Sequence, residues 1–436
     1  MQYTFVEPLR WLDRPARVAV AEGNGHPKAY FQVTAPQEIA RMCLGRPVEE
    51  LPRIVPILGP AHHLVSALAL DRLFQVEPPP LAANMRAALL CTQFFVHHLR
   101  KLFFFFSSLE DPFLEYSLRQ LPSPDAGTRH RFLDRMMHCV GLSQEAATIL
   151  GGRPDHPVSA VAGGVGRFLK EQHYARLSEI AAQCLEFALE LAQRYRETWV
   201  DRSDSPHGDL LALQLEAIAA LTLSRDSGQV TVTDGQGKEN RSFEPEAVFD
   251  RVGLHQEPWT YQPFAHFLEK EWEGPEETLD GFFFVGSLAR FNSGMQCTHP
   301  RAEEERQRFV ERFGPAPNFT VMGAFWSLVV ELIESAEGMV EGCSQEQLTG
   351  PAFRTAPNGI GSQGLATIES PAGFIAHRYE VDDRGLVTGI RVLDAGSENN
   401  ALKCALVRNA IDKASGEGTI KPKQLKAMIE LSLLPF

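Results

Sequence analysis

Imidazole and thiol side chains are the groups in this sequence best suited to hold a metal or move a proton, and their spacing limits both. His62-His63 and His97-His98 are adjacent pairs. Neighbours on a helix point about 100° apart, so each pair reads as one core and one surface histidine rather than two ligands to one ion. Cys297-Thr298-His299 puts both ligand types in one loop with no partner nearby, which reads as a packed or solvated loop. The seven cysteines (Cys43, Cys91, Cys139, Cys184, Cys297, Cys343, Cys404) are scattered and form no C-x-x-C, so no local thiolate cluster is encoded and reduced thiols are expected. Gly23-Asn24-Gly25 and Gly359-Ile360-Gly361 lack the strand-to-helix setting of a phosphate loop and read as turns. Glu179, Glu186, Glu190 and Glu197, among Lys170, Arg176, Arg194 and Arg196, read as a solvated, salt-bridged helix face. From residue types alone no catalytic constellation emerges.

The elements that would position these groups are mainly helical. Apolar residues at helical spacing predict helices over 81–106, 128–150, 166–200, 209–223, 301–312, 321–339, 400–414 and 422–433. Alternating patterns predict hairpins over 16–33, 228–242 and 372–394, the last turning at Asp382 to Gly385. Residues 157–166, uncharged and holding Gly163-Gly164, read as a buried loop whose backbone needs positive φ or close approach. Phe103 to Phe106 cannot share one stripe, which suggests a buried central helix. The fold class expected is α+β, mainly α: a helical bundle with small peripheral sheets in one domain over 1–436. Its parts would be an N-terminal region (1–79), a helical core (80–225), a β excursion (226–295) and helices with a C-terminal β segment (296–436). The net charge of −13, from 42 Lys+Arg against 55 Asp+Glu with no long basic cluster, argues against nucleic acid as a partner. No apolar run reaches the length of about 18 residues that a membrane span needs, and residues 1–10 show no export signal, so a cytoplasmic protein is expected.

Six collinear segments resemble the large subunit of [NiFe] hydrogenases, especially the cytoplasmic multimeric group, over nearly the whole chain. Pro8 to Val18 (PLRWLDRPARV) is similar to the family's P-x-T-R-I-E-G-H-A-R-V, and 45–52 (GRPVEELP) to its G-R-P segment. Residues 151–157 (GGRPDHP), followed by Gly163-Gly164-Val165, resemble G-G-K/R-x-x-H-P…P-G-G-V. Residues 284–292 (FVGSLARFN) resemble Y-R-V-G-P-L-A-R-L-N, 368–374 (IESPAGF) resemble V-E-A-P-R-G-x-L, and 394–400 (DAGSENN) resemble A-T-x-x-N-N. The resemblance implies the hydrogenase large-subunit fold.

It also implies that the chemistry has gone. The family holds nickel and iron with cysteines from R-x-C-G-x-C-P and D-P-C-x-x-C, since soft thiolates suit those metals. The first motif would fall in Arg53 to His63 (RIVPILGPAHH), which has no cysteine; the second would begin just after Ile429-Glu430-Leu431, and none follows before Phe436. The family's opening Glu and His fall at Asp13 and Pro15, and the arginine over its open metal position falls at Ala372. The expectation is a degenerate member: no catalytic residue, no metal and no cofactor bound by this chain, with Fe–S clusters in a partner. His62, His63, His156, Pro157, Gly163 and Gly164 are expected at the interface with that Fe–S small subunit, further electron-transfer subunits being allowed. The resemblance leaves three readings. The chain is a non-catalytic component of an electron-transfer complex and not a hydrogenase by itself, or an accessory scaffold of hydrogenase maturation needing an exposed thiolate, or a repurposed redox pocket near His62, His63, Asp13 and Ala372, as in the related respiratory complex I subunit.

Overall fold

A computed structural model describes residues 3–7, 9, 14–21, 28–36, 38–108, 126–201, 214–238, 240–315, 317–416 and 422–436. The longer helices, in chain order, are α1 (His62–Leu73), α2 (Pro80–Ser108), α3 (Ala126–Gly151), α4 (Glu171–Tyr195), α5 (Pro300–Phe313), α6 (Val321–Gly342), α7 (Asn400–Gly416) and α8 (Pro422–Leu433). Helix α6 packs against α2, α4 and α5. All its residues from Gly323 to Met339 are buried, so α6 is the central helix. Thr320 Oγ1 caps it by accepting the Gly323 N–H at 2.9 Å. The phenylalanine run lies on α2 beside it. Phe105 stacks on Phe325 of α6 with ring centres 4.1 Å apart, whereas Phe103 and Phe104 are only half-buried.

The central helix carries three buried carboxylates, each anchoring a different neighbour. Glu331 binds Arg290, Glu334 binds the 298–299 turn, and Glu337 accepts the N–H groups of Arg301 and Ala302 at the start of α5. An acid at a helix N-terminus is favoured by the positive end of the helix dipole. The Cys297-Thr298-His299 loop is therefore packed. The predicted acidic surface face is also found, with Arg176 bridging Glu145 and Glu179 at 2.7 Å each.

Around the helices lie small sheets. Strands β1 (Tyr3–Val6), β2 (Ala16–Ala21) and β3 (Lys28–Val33) form an antiparallel meander; residues 22–27, with the expected Gly23-Asn24-Gly25 turn, lie outside the described residues. β4 (Ala160–Val161) and β5 (Gly164–Val165) make a minimal hairpin where a loop was expected. β6 (Ala219–Leu223), β7 (Val230–Thr233) and β8 (Asn240–Phe243) are antiparallel neighbours; β9 (Val252–His255) and β10 (Phe264–Phe267) pair separately, and β11 (Phe283–Phe284) joins β6 in parallel. β12 (Gln363–Glu369), β13 (Phe374–Val381) and β14 (Val387–Leu393) form the last antiparallel sheet, against which α1 packs.

Three expectations are corrected. The helix expected over 209–223 is strand β6 in its last five residues, because pairing with β7 and β11 outweighs the helix preference of an Ala- and Leu-rich stretch; residues 209–213 lie outside the described set. The helix expected from residue 166 starts at Glu171. The C-terminal hairpin has a third strand, β12, whose alternation the sequence pattern did not reveal. Among the described residues no helix is long and apolar enough to cross a membrane.

Candidate functional site

The collinear segments converge in space. Arg14 Nη2 donates to Asp394 Oδ2 at 3.0 Å, which ties the opening segment to the last one. Asn399 accepts the Val285 N–H at 2.9 Å, and Arg290 reaches Glu369 at 2.6 Å, so the 284–292, 368–374 and 394–400 segments form one body. Gly45, Arg46 and Val48 bond the backbone of the β14 edge and its turn, and His156 Nε2 lies 2.8 Å from the Arg53 carbonyl oxygen.

Arg14, the 56–62 segment, Asp155, Ser370 to Ala372 and Asp394 to Gly396 line an open cavity of about 430 Å³. Counted from Arg53, the two thiolate positions of R-x-C-G-x-C fall at Val55 and Leu58 in a short 3-10 turn; Val55 is buried in the core behind, and Leu58 lines the cavity. Ala372, where the resemblance puts an arginine, lines it too. Phe31, Val33, Phe104, Ile375 and Leu434 give it a mainly apolar wall, and Arg100, Asp155 and the exposed Ile57 stand among its outer groups.

Two buried histidine relays end at this cavity. In the first, Tyr379 donates to Ser66 Oγ at 2.8 Å, so its oxygen accepts from His377 Nδ1 at 2.6 Å. His377 Nε2 then accepts from His62 Nδ1 at 2.9 Å. Burial holds His62 down to about 4 and His377 well below its ordinary value, so both rings are neutral and each carries one N–H. The second relay starts at Glu331, where burial would raise the carboxyl but Arg290, together with donors from His98 and Ser287, holds it below the usual range. His98 Nε2 donates to Glu331 at 2.9 Å, which leaves His98 Nδ1 to accept from His97 Nδ1 at 3.3 Å. Burial also pushes His97 and His98 below the ordinary imidazole range.

The donor set at the cavity does not fit a thiolate-held nickel–iron centre. No cysteine lines it, and among the described residues no group of three or more His, Cys, Asp or Glu side chains is placed to hold a metal ion. The cysteines sit elsewhere and burial raises their thiols, Cys43 to about 11 and Cys404 to about 12, for example, so thiolates are disfavoured.

Of the residues singled out from sequence, His62 and Ala372 meet at the cavity. His63, beside His62, turns away: its Nδ1 donates to the Pro52 carbonyl at 2.6 Å and its Nε2 accepts the Ala160 N–H at 2.8 Å, which makes it a staple between α1 and the β4–β5 hairpin. Pro15 is exposed, and Asp13 lies outside the described residues. Gly163 (φ +76°) and Gly164 (φ +156°) are pressed against residues 353–355, where a Cβ on either would come within 2.2 Å of a carbonyl oxygen. Pro157 is buried; His156 is half-buried near the exposed Asp155. Sequence reasoning missed Arg14, Gln93, His377, Tyr379 and Asp394. Only the spacing of Gln93 and His97, four apart on one helix, and of His377 and Tyr379, two apart on one strand, could have signalled same-face pairs.

No family model matches the chain. It is 24% identical over 456 residues to an iron-sulfur subunit of the F420-non-reducing hydrogenase of Archaeoglobus profundus, covering 99% of this chain and 92% of that one. It is 27% identical over 416 residues to a vhu subunit of the F420-non-reducing hydrogenase of Methanocaldococcus jannaschii, covering 90% of this chain and 95% of that one. Among solved structures, a chain of an NAD+-reducing [NiFe]-hydrogenase in the H2-reduced state superposes with a TM-score of 0.84 at 24% identity, covering 100% of this chain and 97% of that chain. The chain is thus similar along nearly its full length to subunits of F420-non-reducing hydrogenases, and it shares the fold of [NiFe] hydrogenase large subunits.

Proposed function

We propose that the chain is a non-catalytic, large-subunit-like component of a cytoplasmic electron-transfer complex, packed on a small subunit that carries Fe–S clusters. The observation behind this reading is the cavity wall. Leu58 and Ala372 line the cavity and Val55 sits buried behind it, where the resemblance asks for thiolates and an arginine, while the surrounding segments stay tied together by Arg14–Asp394, Arg290–Glu369 and Val285–Asn399. A scaffold held this firmly around an apolar wall is suited to assembly rather than to heterolytic H2 cleavage, which needs groups that stabilise developing charge. The face that would meet the small subunit includes Ile57, 54% exposed, with Arg53, Asp155 and His156 beside it; Gly163, Gly164, Pro157 and His63 shape that face from within. There the chain would screen the clusters from water and set the hydrogen bonding around them.

The test is purification of the native protein under mild conditions, with metal analysis of each separated polypeptide. Equal amounts of this chain and an iron-bearing partner, with far less than one nickel per copy of this chain, are expected. Stoichiometric nickel here, or a solitary monomer, overturns the reading. The accessory-scaffold alternative requires an exposed thiolate, and Cys43, the cysteine nearest in sequence to the lost motif, is fully buried.

A further inference from the structure

A strip of surface that begins at the cavity mouth is basic, although the chain carries a net charge of −13. Ile57, at the mouth, follows closely on Arg53, whose carbonyl oxygen lies 2.8 Å from His156 Nε2, so residues 53–57 and the 152–156 turn after α3 are neighbours. Arg167 reaches back to that turn: its Nη2 donates to the Thr148 and Ile149 carbonyls at the end of α3, at 3.2 and 2.8 Å. Phe168 meets Phe353 edge to face with ring centres 4.3 Å apart, and Arg354 Nε donates to the Ala162 carbonyl at 3.0 Å. Arg53, Arg153, Arg167, Lys170 and Arg354, all exposed, therefore lie along one continuous strip.

Among the described residues none of these five cations pairs with a carboxylate. The carboxylates beside them are Asp155, which Arg100 holds at 2.9 Å, and the exposed Glu49, Glu77 and Glu171. Elsewhere on the surface arginines are matched, as Arg135 is by Glu190, Arg176 by Glu145 and Glu179, and Arg308 by Glu304. An acidic chain that leaves its cations unmatched in one place keeps them free for charges from outside. Two large apolar side chains lie among them, Ile57 (54% exposed) and Phe168 (48% exposed). Aliphatic and aromatic contacts set among arginines are the composition of a protein–protein interface. Nucleic acid and an anionic membrane fit poorly, because the chain's net charge repels both at long range.

We propose that this strip docks an acidic face of the partner polypeptide, whose carboxylates meet Arg53, Arg153, Arg167, Lys170 and Arg354 while its apolar side chains cover Ile57 and Phe168. The proposal rests on the reading that a partner packs beside the cavity mouth. It adds the sign of the partner's charge, the extension of the contact as far as Phe168 and Arg354, and an association that salt weakens. Exposed charges of this kind steer encounter and fix register, and dissolved ions screen them.

The test uses the native complex. Its dissociation constant, measured by sedimentation velocity at about 0.1 M and about 1 M salt, is expected to rise about tenfold or more with salt. A carbodiimide, which joins an amine to a carboxylate with no spacer, is expected to link Lys170 Nζ to an Asp or Glu of the partner, read by mass spectrometry of the digested complex. The side chains of Arg53 and Arg153 make no hydrogen bond among the described residues, so Arg53→Glu and Arg153→Glu leave the fold intact. Each is expected to weaken the complex about tenfold, whereas Arg312→Glu, at an exposed position on α5 outside the strip, leaves it unchanged. A complex indifferent to salt and to both substitutions, or one whose cross-links avoid Lys170, overturns the proposal and leaves the assembly reading standing. An acidic partner held by this strip but carrying no iron does the reverse, and a chain that purifies alone overturns both. The salt and cross-linking readouts use the unaltered protein, so they decide the matter even where a variant fails to fold.

Discussion

Replacing Arg290 by methionine is expected to be among the most damaging single changes outside the apolar core. Arg290 is 1% exposed, and its guanidinium is shared by two carboxylates: Nε and Nη2 meet Glu331 at 2.5 and 2.6 Å, and Nη1 meets Glu369 at 2.6 Å. The carboxylates are not equivalent. Glu331, also receiving His98 and Ser287, is held below its ordinary range against the effect of burial, whereas burial dominates at Glu369 and raises it. Removing the cation leaves Glu331, 4% exposed, without its main counter-charge, and breaking a buried pair from one side costs about 3–5 kcal/mol. The pH dependence follows by sign. In the unaltered protein the lowered Glu331 value gives stability that is present above an unfolded value near 4.3 and lost as pH falls through the folded one. Without Arg290, burial raises Glu331, so its folded-state penalty grows as pH rises. Urea unfolding at pH 5 and pH 8 should therefore show a larger loss for Arg290→Met at pH 8, and the Arg290→Met, Glu331→Met double variant should recover part of it. A loss under about 1 kcal/mol, or one equal at both pH values, would refute this account of the cluster.

The two glycines against residues 353–355 offer a test of steric fit. Gly163→Ala should destabilise by about 2 kcal/mol or more in urea unfolding, while Gly45→Ala, at the same φ of +76° with nothing within 4 Å, should cost about 1 kcal/mol. His62 and His63, both held down to about 4 by burial, favour the folded state fully only above the unfolded imidazole value near 6.5, so stability should fall between about 6.5 and 4 by up to about 3 kcal/mol for each. His63→Phe should flatten that slope and itself cost about 2 kcal/mol, because the Ala160 N–H and the Pro52 carbonyl lose their partner. A thiol reagent at pH 8 should leave the buried Cys43, Cys184 and Cys404 unmodified in the native protein and reach all seven cysteines after denaturation; fast native modification of Cys43 would count against its burial.

What the sequence made legible was whatever local periodicity and punctuation can carry. The long helices and the hairpins about 234 and 382–385 follow from apolar spacing and turn residues, and the strain at Gly163-Gly164 was readable from an uncharged, glycine-rich stretch. The resemblance located the cavity wall at the segment before His62 and at Ala372. The sequence did not reveal which of two adjacent histidines faces that cavity. His62 and His63 differ only by what a distant strand and a distant hairpin offer them, His377 for one and Ala160 for the other. Strand β6 was misread for a related reason: its partners β7 and β11 lie outside any local window, and pairing decided against the propensity of its own residues.

The clasp between Arg14 and Asp394 spans 380 positions, and His62 meets His377 across 315. At synthesis rates of about 5–20 residues per second, a nascent chain would wait roughly 20–75 s after making its first strands before the segment that locks them emerges. During that interval the early meander has an apolar face and no lid, a state inviting to chaperones and to aggregation alike. Expression yield should accordingly respond to elongation speed and to chaperone supply more strongly than to changes in the stability of the finished molecule.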